Sequence, residues 1–148
     1  MKHQRQAGFL MAKIRQVGER VFVRRLKDSG IEINPAQGRI MFALWQQDRV
    51  SIQELARKTQ LGKSTLTSML DRLEAMGYVR RQRSETDRRR IIIHRTDKDR
   101  ALEQQYVDLS QQMTEIWYKG FSDTEADQFE AYLQRILDNV TECEKNDG

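Results

Sequence analysis

The sequence predicts a mainly α-helical chain with one two-stranded β-hairpin past its middle. A single proline among 148 residues leaves room for long uninterrupted helices. Apolar residues recur at helical spacing along most of the chain, and the period becomes strand-like only between residues 78 and 95. The length suits one domain with a substantial core.

A 4-3-4 apolar stripe predicts the first helix, over residues 8–28, with one face packed on another helix. The stripe consists of Leu10, Ile14, Val17 and Val21. Asn34 and Pro35 then supply an N-cap and a first helical residue that needs no N–H. A second helix therefore runs to about Gln47.

The next two helices are short and are separated by a tight turn. A capping box at Ser51 and Glu54 begins the first of them. The turn holds Gly62, and the second short helix follows over residues 63–76 with its apolar residues on one face.

The outward face of this second short helix carries small hydroxyl residues between two bases. Its members are Lys63, Ser64, Thr65, Thr67, Ser68, Asp71 and Arg72. Small side chains let a helix lie close in a DNA major groove, where hydroxyls bond phosphates or base edges. The alternative is an ordinary solvated surface helix.

Strand-like segments over residues 78–84 and 90–95 predict a hairpin with a charged tip. Seven arginines fall within 16 residues of this segment: Arg80, Arg81, Arg83, Arg88, Arg89, Arg90 and Arg95. Only Glu85 and Asp87 oppose them. A narrow arm with arginine at its tip suits the negative potential of a DNA minor groove. Asp87 is expected to pair with Arg89 and aim it, the alternative being a turn-stabilising ion pair without a ligand.

Two long helices are predicted for the rest of the chain, the first over about residues 97–119. Their heptad-like stripes consist of Leu102, Tyr106, Leu109, Met113 and Ile116, and of Phe129, Leu133, Ile136 and Val140. Thr96 and Asp99 are expected to cap the first of these helices, and Ser122 with Glu125 the second.

Charge is distributed unevenly along the chain, although its net value is only +4. Residues 57–100 hold 13 Lys/Arg against 6 Asp/Glu, whereas residues 101–148 hold 3 against 11. A basic middle of this kind indicates a nucleic-acid partner, the alternative being a solvated charged face.

Several classes of protein are disfavoured by what the sequence lacks. It has no apolar stretch long enough for a membrane span or a secretory signal, so a cytoplasmic location is expected. One cysteine, Cys143, forms no internal disulfide framework or multi-thiolate zinc site. No nucleophile elbow, phosphate loop, HExxH motif or carboxylate cluster occurs. We therefore expect no enzyme activity, no cofactor and no metal.

Several short motifs occur together in the order of one known family. They are Asn34-Pro35-Ala36-Gln37, Glu54-Leu55-Ala56, Thr65-Leu66-Thr67, Asp71-Arg72-Leu73-Glu74 with Gly77, and Asp87-Arg88-Arg89. With them, residues 50–99 resemble the MarR (multiple antibiotic resistance regulator) family of winged helix-turn-helix proteins. The order of the flanking helices is similar as well, so the resemblance extends over nearly the whole chain.

The chain departs from the family pattern in two places. Where the family often has "L-T-x-x-G" after the second wing strand, this chain has Arg95, Thr96 and Asp99. These changes are expected to alter packing at the wing base and to remove a flexible joint. Peroxide-sensing members use a cysteine near the start of the first helix. None stands there in this chain, so Cys143 is interpreted as a bystander.

The resemblance implies a single MarR-type domain over residues 1–148. Residues 34–95 are its winged helix-turn-helix DNA-binding region, and the helices of 8–32 and 97–143 form a dimerisation region. The implied function is a homodimeric transcriptional regulator, a repressor of a pseudo-palindromic operator in double-stranded DNA. The alternative is a protein-interaction module, antirepressor-like, that keeps the fold without operator binding.

The expected DNA-binding residues fall into three groups. We expect phosphate contacts from Lys63, Arg72, Arg81 and Arg83. Major-groove contacts are expected from Ser64, Thr65, Thr67 and Ser68. The wing is assigned Arg89 in the minor groove, aimed by Asp87, with Arg88 and Arg90 on the backbone. Family members commonly respond to small aromatic or lipophilic molecules, which Met11, Met41, Trp45 and Trp117 are candidates to bind. The alternative for these four residues is core packing.

Overall fold

The computed structural model describes residues 4–148, and in this part of the chain it forms six helices and a small three-stranded sheet. The elements are α1 (Ala7–Asp28), α2 (Pro35–Gln46), β1 (Val50–Ser51), α3 (Ile52–Thr59), α4 (Lys63–Ala75), β2 (Val79–Arg83), β3 (Ile91–Arg95), α5 (Asp97–Trp117) and α6 (Asp123–Asp147). The predicted fold class is confirmed: a mainly helical chain with a helix-turn-helix followed by a β wing.

The sheet contains one strand that the sequence pattern does not reveal. Its order is β1-β3-β2, and both pairings are antiparallel. Val50 of β1 lies opposite Ile93 of β3, and both side chains are buried. A strand of two residues is too short to show a period of two, so only the fold reveals it.

Side-chain caps fix where several helices begin. Asn34 accepts a hydrogen bond from the Gln37 N–H at 2.8 Å, and Gln37 Oε1 accepts one from the Asn34 N–H at 3.0 Å. Ser122 and Glu125 form the same reciprocal box at α6, as predicted. At α3 only half of the predicted box forms: Ser51 accepts from the Glu54 N–H at 3.2 Å, and the return bond from the Ser51 N–H to the Glu54 side chain is not found there.

The turn between α3 and α4 has its left-handed residue at a position other than its glycine. The left-handed residue is Gln60, with φ 58°, whereas Gly62 is the N-cap of α4 at φ −65°. Gly62 offers no side chain to cap the helix. The strain of the turn therefore falls on a residue with a Cβ.

The described chain divides into two compact units, one up to Gln111 and one from Gln112 to Gly148. The core of the first unit joins α1–α5 and the sheet through residues such as Leu44, Leu55, Leu70 and Ile93. In the second unit, α6 has no buried residue, and Tyr118 forms edge contacts with Phe121 and Phe129. None of the helices that the structure describes is long and apolar enough to cross a membrane.

Candidate nucleic-acid interface

Helix α4 is oriented by its buried face. Leu66, Leu70 and Leu73 are fully buried, which turns the opposite side of the helix to solvent. Of the predicted contact residues on this helix, Thr67 is half-buried and the others are exposed: Lys63, Ser64, Thr65, Ser68 and Arg72. The helix therefore presents the predicted row of hydroxyl and basic side chains.

Arg81 of β2 holds the wing against α4. Its Nη1 lies 2.7 Å from Asp71 Oδ1, and its Nη2 lies 2.9 Å from Glu74 Oε1. The Arg81 backbone N–H also donates to Glu74 Oε2 at 2.9 Å. The hydrogen bonds from Arg81, above all those of its guanidinium, lower the pKa of Glu74. Arg81 is thus engaged inside the chain, at the joint between wing and helix.

The tip of the hairpin is ordered by short-range hydrogen bonds. Ser84 Oγ accepts from the N–H groups of Thr86 at 3.3 Å and Asp87 at 3.2 Å. The Arg90 N–H donates to the Asp87 carbonyl at 2.9 Å, which closes the turn. The tip therefore has a defined backbone on which to present its side chains.

Asp87 contacts two of the tip arginines. Its Oδ1 accepts from the Arg89 N–H at 3.1 Å and lies 3.6 Å from Arg89 Nε, while its Oδ2 lies 3.8 Å from Arg90 Nε. The Arg89 side chain is nevertheless 95% exposed. Arg83 and Arg88 are also exposed. Two carboxylates, those of Glu85 and Asp87, thus stand against four tip arginines at positions 83, 88, 89 and 90, and the tip keeps a net positive charge.

At the base of the hairpin, by contrast, the charged side chains are paired with each other and shielded from solvent. Asp99 is fully buried, and its Oδ2 accepts from Arg95 Nε at 2.6 Å while its Oδ1 accepts from Trp45 Nε1 at 2.8 Å. Arg95 also donates to Glu103. Burial opposes the charged guanidinium, but the hydrogen bonds to Asp99 and Glu103 outweigh it and raise the pKa of Arg95. The two departures from the family pattern thus contact each other, four residues apart.

The predicted cap of α5 is wrong, because the side chains of Thr96 and Asp99 bond to other parts of the chain. Thr96 Oγ1 donates to the Gly77 carbonyl at 2.6 Å, and Asp99 is taken up by Arg95 and Trp45. Lys98 Nζ donates to the Met76 carbonyl at 2.7 Å and lies 4.9 Å from the centre of the Tyr78 ring. These side chains connect α5 to the end of α4 rather than capping their own helix.

The four candidate ligand residues do not share one environment. Met41 is fully buried, and Trp45 is partly buried with its ring 5.6 Å from that of Tyr106 in an edge contact. Met11 and Trp117 are 41% and 57% exposed. Tyr106 also fills the space beside Gly38, where a Cβ would overlap its hydroxyl. Met41 and Trp45 are therefore core residues in this structure.

A groove runs beside α4 on the flank away from the wing. It has a volume of about 360 Å³ and lies between the start of α2 and residues 64–72 of α4. Its polar lining consists of Asn34, Gln37, Ser64, Thr65, Ser68 and Arg72. Asn34 and Gln37 were not among the predicted site residues, because a capping pair explains them without a ligand.

The fold and this exposed basic face define a winged helix-turn-helix protein. The model of the MarR family matches residues 33–91. The resemblance drawn from the motifs is thereby confirmed: the winged helix-turn-helix region of this chain is similar to the MarR family.

Curated relatives match about half of the chain. The transcriptional regulator TtmR of Methylorubrum extorquens is 39% identical over 71 residues, which is 48% of this chain and 36% of that protein. The organic hydroperoxide resistance transcriptional regulator of Bacillus subtilis is 32% identical over 69 residues, 47% of each chain. The alignments thus cover less than half the length of these two relatives. Both are named as regulators rather than enzymes.

Solved structures match over nearly the whole chain. BpsR of Bordetella bronchiseptica superposes with a TM-score of 0.82 at 22% identity, over 93% of this chain and 99% of that one. A cysteine-to-serine mutant of MarR from E. coli, complexed with operator DNA, gives 0.79 at 25% identity, over 88% and 92%. These likenesses extend the shared fold to the helices that flank the winged region.

Proposed function

We propose that this protein is a sequence-specific transcriptional regulator that binds double-stranded operator DNA as a homodimer and acts as a repressor. It works in the cytoplasm and catalyses no reaction. The observation that carries the proposal is the pairing of an exposed hydroxyl-bearing helix with an arginine-rich wing tip that has too few carboxylates of its own. A duplex supplies the missing negative charge.

The residues divide the work of binding. Ser64, Thr65, Thr67 and Ser68 of α4 face the major groove, and Lys63, Arg72 and Arg83 neutralise phosphates. Arg89 enters the minor groove from the wing tip, with Asp87 holding its backbone and Arg88 and Arg90 on the flanking phosphates. We reassign Arg81 to positioning, because Asp71 and Glu74 already occupy its guanidinium.

The dimer is supported by apolar surface that each unit leaves open. In α1, Phe9, Leu10 and Ile14 are 64%, 50% and 53% exposed. In α6, the exposed apolar residues are Phe129, Leu133, Ile136, Leu137 and Val140. Stripes of this kind on a polar chain need a partner, and a second copy supplies one. Two-fold symmetry then sets the half-sites about one helical turn of DNA apart.

A small effector is a further part of the proposal. BpsR, a structural neighbour, is described as regulated in its DNA binding by 6-hydroxynicotinic acid. In this chain a small aromatic or lipophilic molecule that reaches Met41 and Trp45 has to displace packed core, whereas Met11 and Trp117 are open to solvent. Release from DNA would then accompany a rearrangement of the first unit.

The direct test is selection of bound fragments from a fragmented genome with the purified full chain. The expected result is a small set of fragments that share a pseudo-palindrome, with two chains bound per site. A variant with Arg88 and Arg89 both replaced by alanine serves as the control and should recover few of them. Recovery of no fragment above background at low salt contradicts the proposal and favours the protein-interaction alternative.

A further inference from the structure

The groove between α2 and α4 includes donor groups to which the proposed function assigns no role. Its lining residues, all among those the structure describes, include no carboxylate. The first turn of α2 likewise carries no acidic residue, so nothing there offsets the positive end of that helix. The lining therefore carries one cation, Arg72, and no carboxylate, beside polar side chains and the apolar Met69.

The capping box of α2 orients two donors at this groove. Asn34 Oδ1 is occupied by the Gln37 N–H, and Gln37 Oε1 by the Asn34 N–H. Both amide oxygens are thus used inside the box, which leaves both side-chain NH₂ groups as donors. Gln37 is only 6% exposed, so its amide is held in place by burial as well as by the box.

Arg72 supplies the charge on the other wall. It is exposed on α4 and lines the groove with the hydroxyls of Ser64 and Ser68. Arg81, on the wing side of the same helix, is already paired with Asp71 and Glu74, whereas the salt bridges found within residues 4–148 do not include Arg72. The two flanks of α4 therefore differ: one is neutralised within the chain, and the other is not.

We propose that this groove seats one phosphate of the DNA backbone beside the stretch that α4 reads, with Gln37 and Asn34 as neutral donors and Arg72 as the cation. The inference rests on the proposed function and adds two contact residues to it. A phosphodiester carries one charge and accepts several hydrogen bonds, which matches one guanidinium with amide and hydroxyl donors around it. The contact fixes the angle at which α4 enters the major groove.

The decisive variant is Gln37→Glu. A glutamate at this position keeps the capping box, because its carboxylate still accepts from the Asn34 N–H. It removes the NH₂ donor and places a negative charge against the phosphate. We expect operator affinity to fall at least tenfold, with a thermal midpoint within a few degrees of the wild type. The matched control is Gln46→Glu, which makes the same charge change at the exposed far end of α2 and should cost less than threefold.

A second experiment, on chemically modified DNA, locates the contacted phosphate and adds the variant Arg72→Gln. Single methylphosphonates, which remove the charge of one phosphate, are moved along the operator. At one position in each half-site, the affinity deficits of both Gln37→Glu and Arg72→Gln should shrink, whereas Gln46→Glu shows no such position. Coupling at one shared phosphate supports the groove.

The outcomes separate this inference from the proposed function. If wild-type protein binds its operator and Gln37→Glu binds no worse than Gln46→Glu, the groove proposal is overturned and the function stands. The absence of a shared methylphosphonate position for Gln37→Glu and Arg72→Gln also overturns it. If the wild type binds no DNA, the proposed function and the groove fall together.

Discussion

The two ends of one hairpin use the same residue type in opposite ways. At the base, Arg95 is largely buried and bonded to Asp99 and Glu103, and Arg81 is bonded to Asp71 and Glu74. At the tip, the Arg89 side chain is 95% exposed and shares one carboxylate with Arg90. Arginines with partners inside the chain stabilise the fold, and arginines without them are available to a ligand.

The physical difference lies in solvent. A buried ion pair whose partner is removed leaves an unpaired charge in a poor environment, at a cost of about 3–5 kcal/mol. An exposed pair contributes about 0–1 kcal/mol, because water and salt screen it. Substitutions at the base should therefore change stability, and substitutions at the tip should change binding.

The largest expected effect is at the base. Arg95→Ala removes the cation from the fully buried Asp99, so we expect the free energy of unfolding to fall by about 3 kcal/mol. Urea denaturation at one fixed protein concentration measures it. The control is Arg88→Ala at the tip, which should stay within about 0.5 kcal/mol of wild type.

A double substitution sharpens this result. Arg95→Leu with Asp99→Gly restores the residues that the family often has at these positions, and it removes both charges together. It should cost less than the sum of the two single changes, because in the double variant neither member of the Arg95–Asp99 pair is left as an unpaired charge. Glu103 and the Trp45 N–H lose a partner in the single and double variants alike. Strict additivity would show that Arg95 and Asp99 are not coupled.

Arg89→Ala tests the other end. The side chain has little contact with the rest of the chain, so the thermal midpoint should not move. Operator affinity in a gel-shift titration should weaken by about 1–3 kcal/mol, the scale of one good DNA contact. An unchanged affinity removes Arg89 from the interface, and a lower thermal midpoint would place it with the base arginines.

The joint between wing and α4 should respond to acid. Because the pKa of Glu74 is lowered in the folded state, its contribution to stability is complete above the ordinary value of 4.5 and is lost as the pH falls through the folded-state pKa. Thermal midpoints from pH 7 to pH 3 should show wild type above Glu74→Gln at neutral pH, with the gap closing below pH 4.5. A gap that stays constant with pH rules out the ionised pair as its source.

The smallest expected effect comes from the turn before α4, outside the hairpin, and serves as a reference for the hairpin variants. Gln60→Gly relieves the left-handed conformation of the turn before α4, and it should stabilise the protein by about 0.5–1 kcal/mol. Operator affinity should not change, since the backbone already holds that conformation. Gln60 Nε2 donates to the Arg57 carbonyl at 2.9 Å. Thermal melting measures the gain, and a loss of stability would mean that this hydrogen bond stabilises the turn by more than the left-handed conformation costs.

Local signals in the sequence determine most of the helical architecture. The Asn34-Pro35 start, the Ser122 and Glu125 box and the apolar face of α4 all appear where the pattern predicts them. Strand β1 and the conformation of Gln60 do not follow from local pattern, because pairing with Ile93 and the path of the turn depend on tertiary contacts.

The candidate site also has one part that the sequence predicts and another that depends on tertiary contacts. Exposure of Ser64, Ser68 and Arg89 follows from helix periodicity and hairpin position, both of which can be read from the sequence. The partners of Arg81 and Arg95 cannot, since seven arginines in one segment look alike until the fold brings carboxylates to some of them. Spacing offers one signal in retrospect: Arg95 and Asp99 stand four residues apart.

The salt dependence of operator binding tests the central claim most directly. Five phosphate contacts in each chain, by Lys63, Arg72, Arg83, Arg88 and Arg90, correspond to about ten in a dimer, so the logarithm of the association constant should fall linearly with the logarithm of salt concentration at a slope near −9. A slope that steep means that the unpaired basic side chains displace counterions from a duplex. A slope shallower than about −1, or no binding in dilute buffer, contradicts the account.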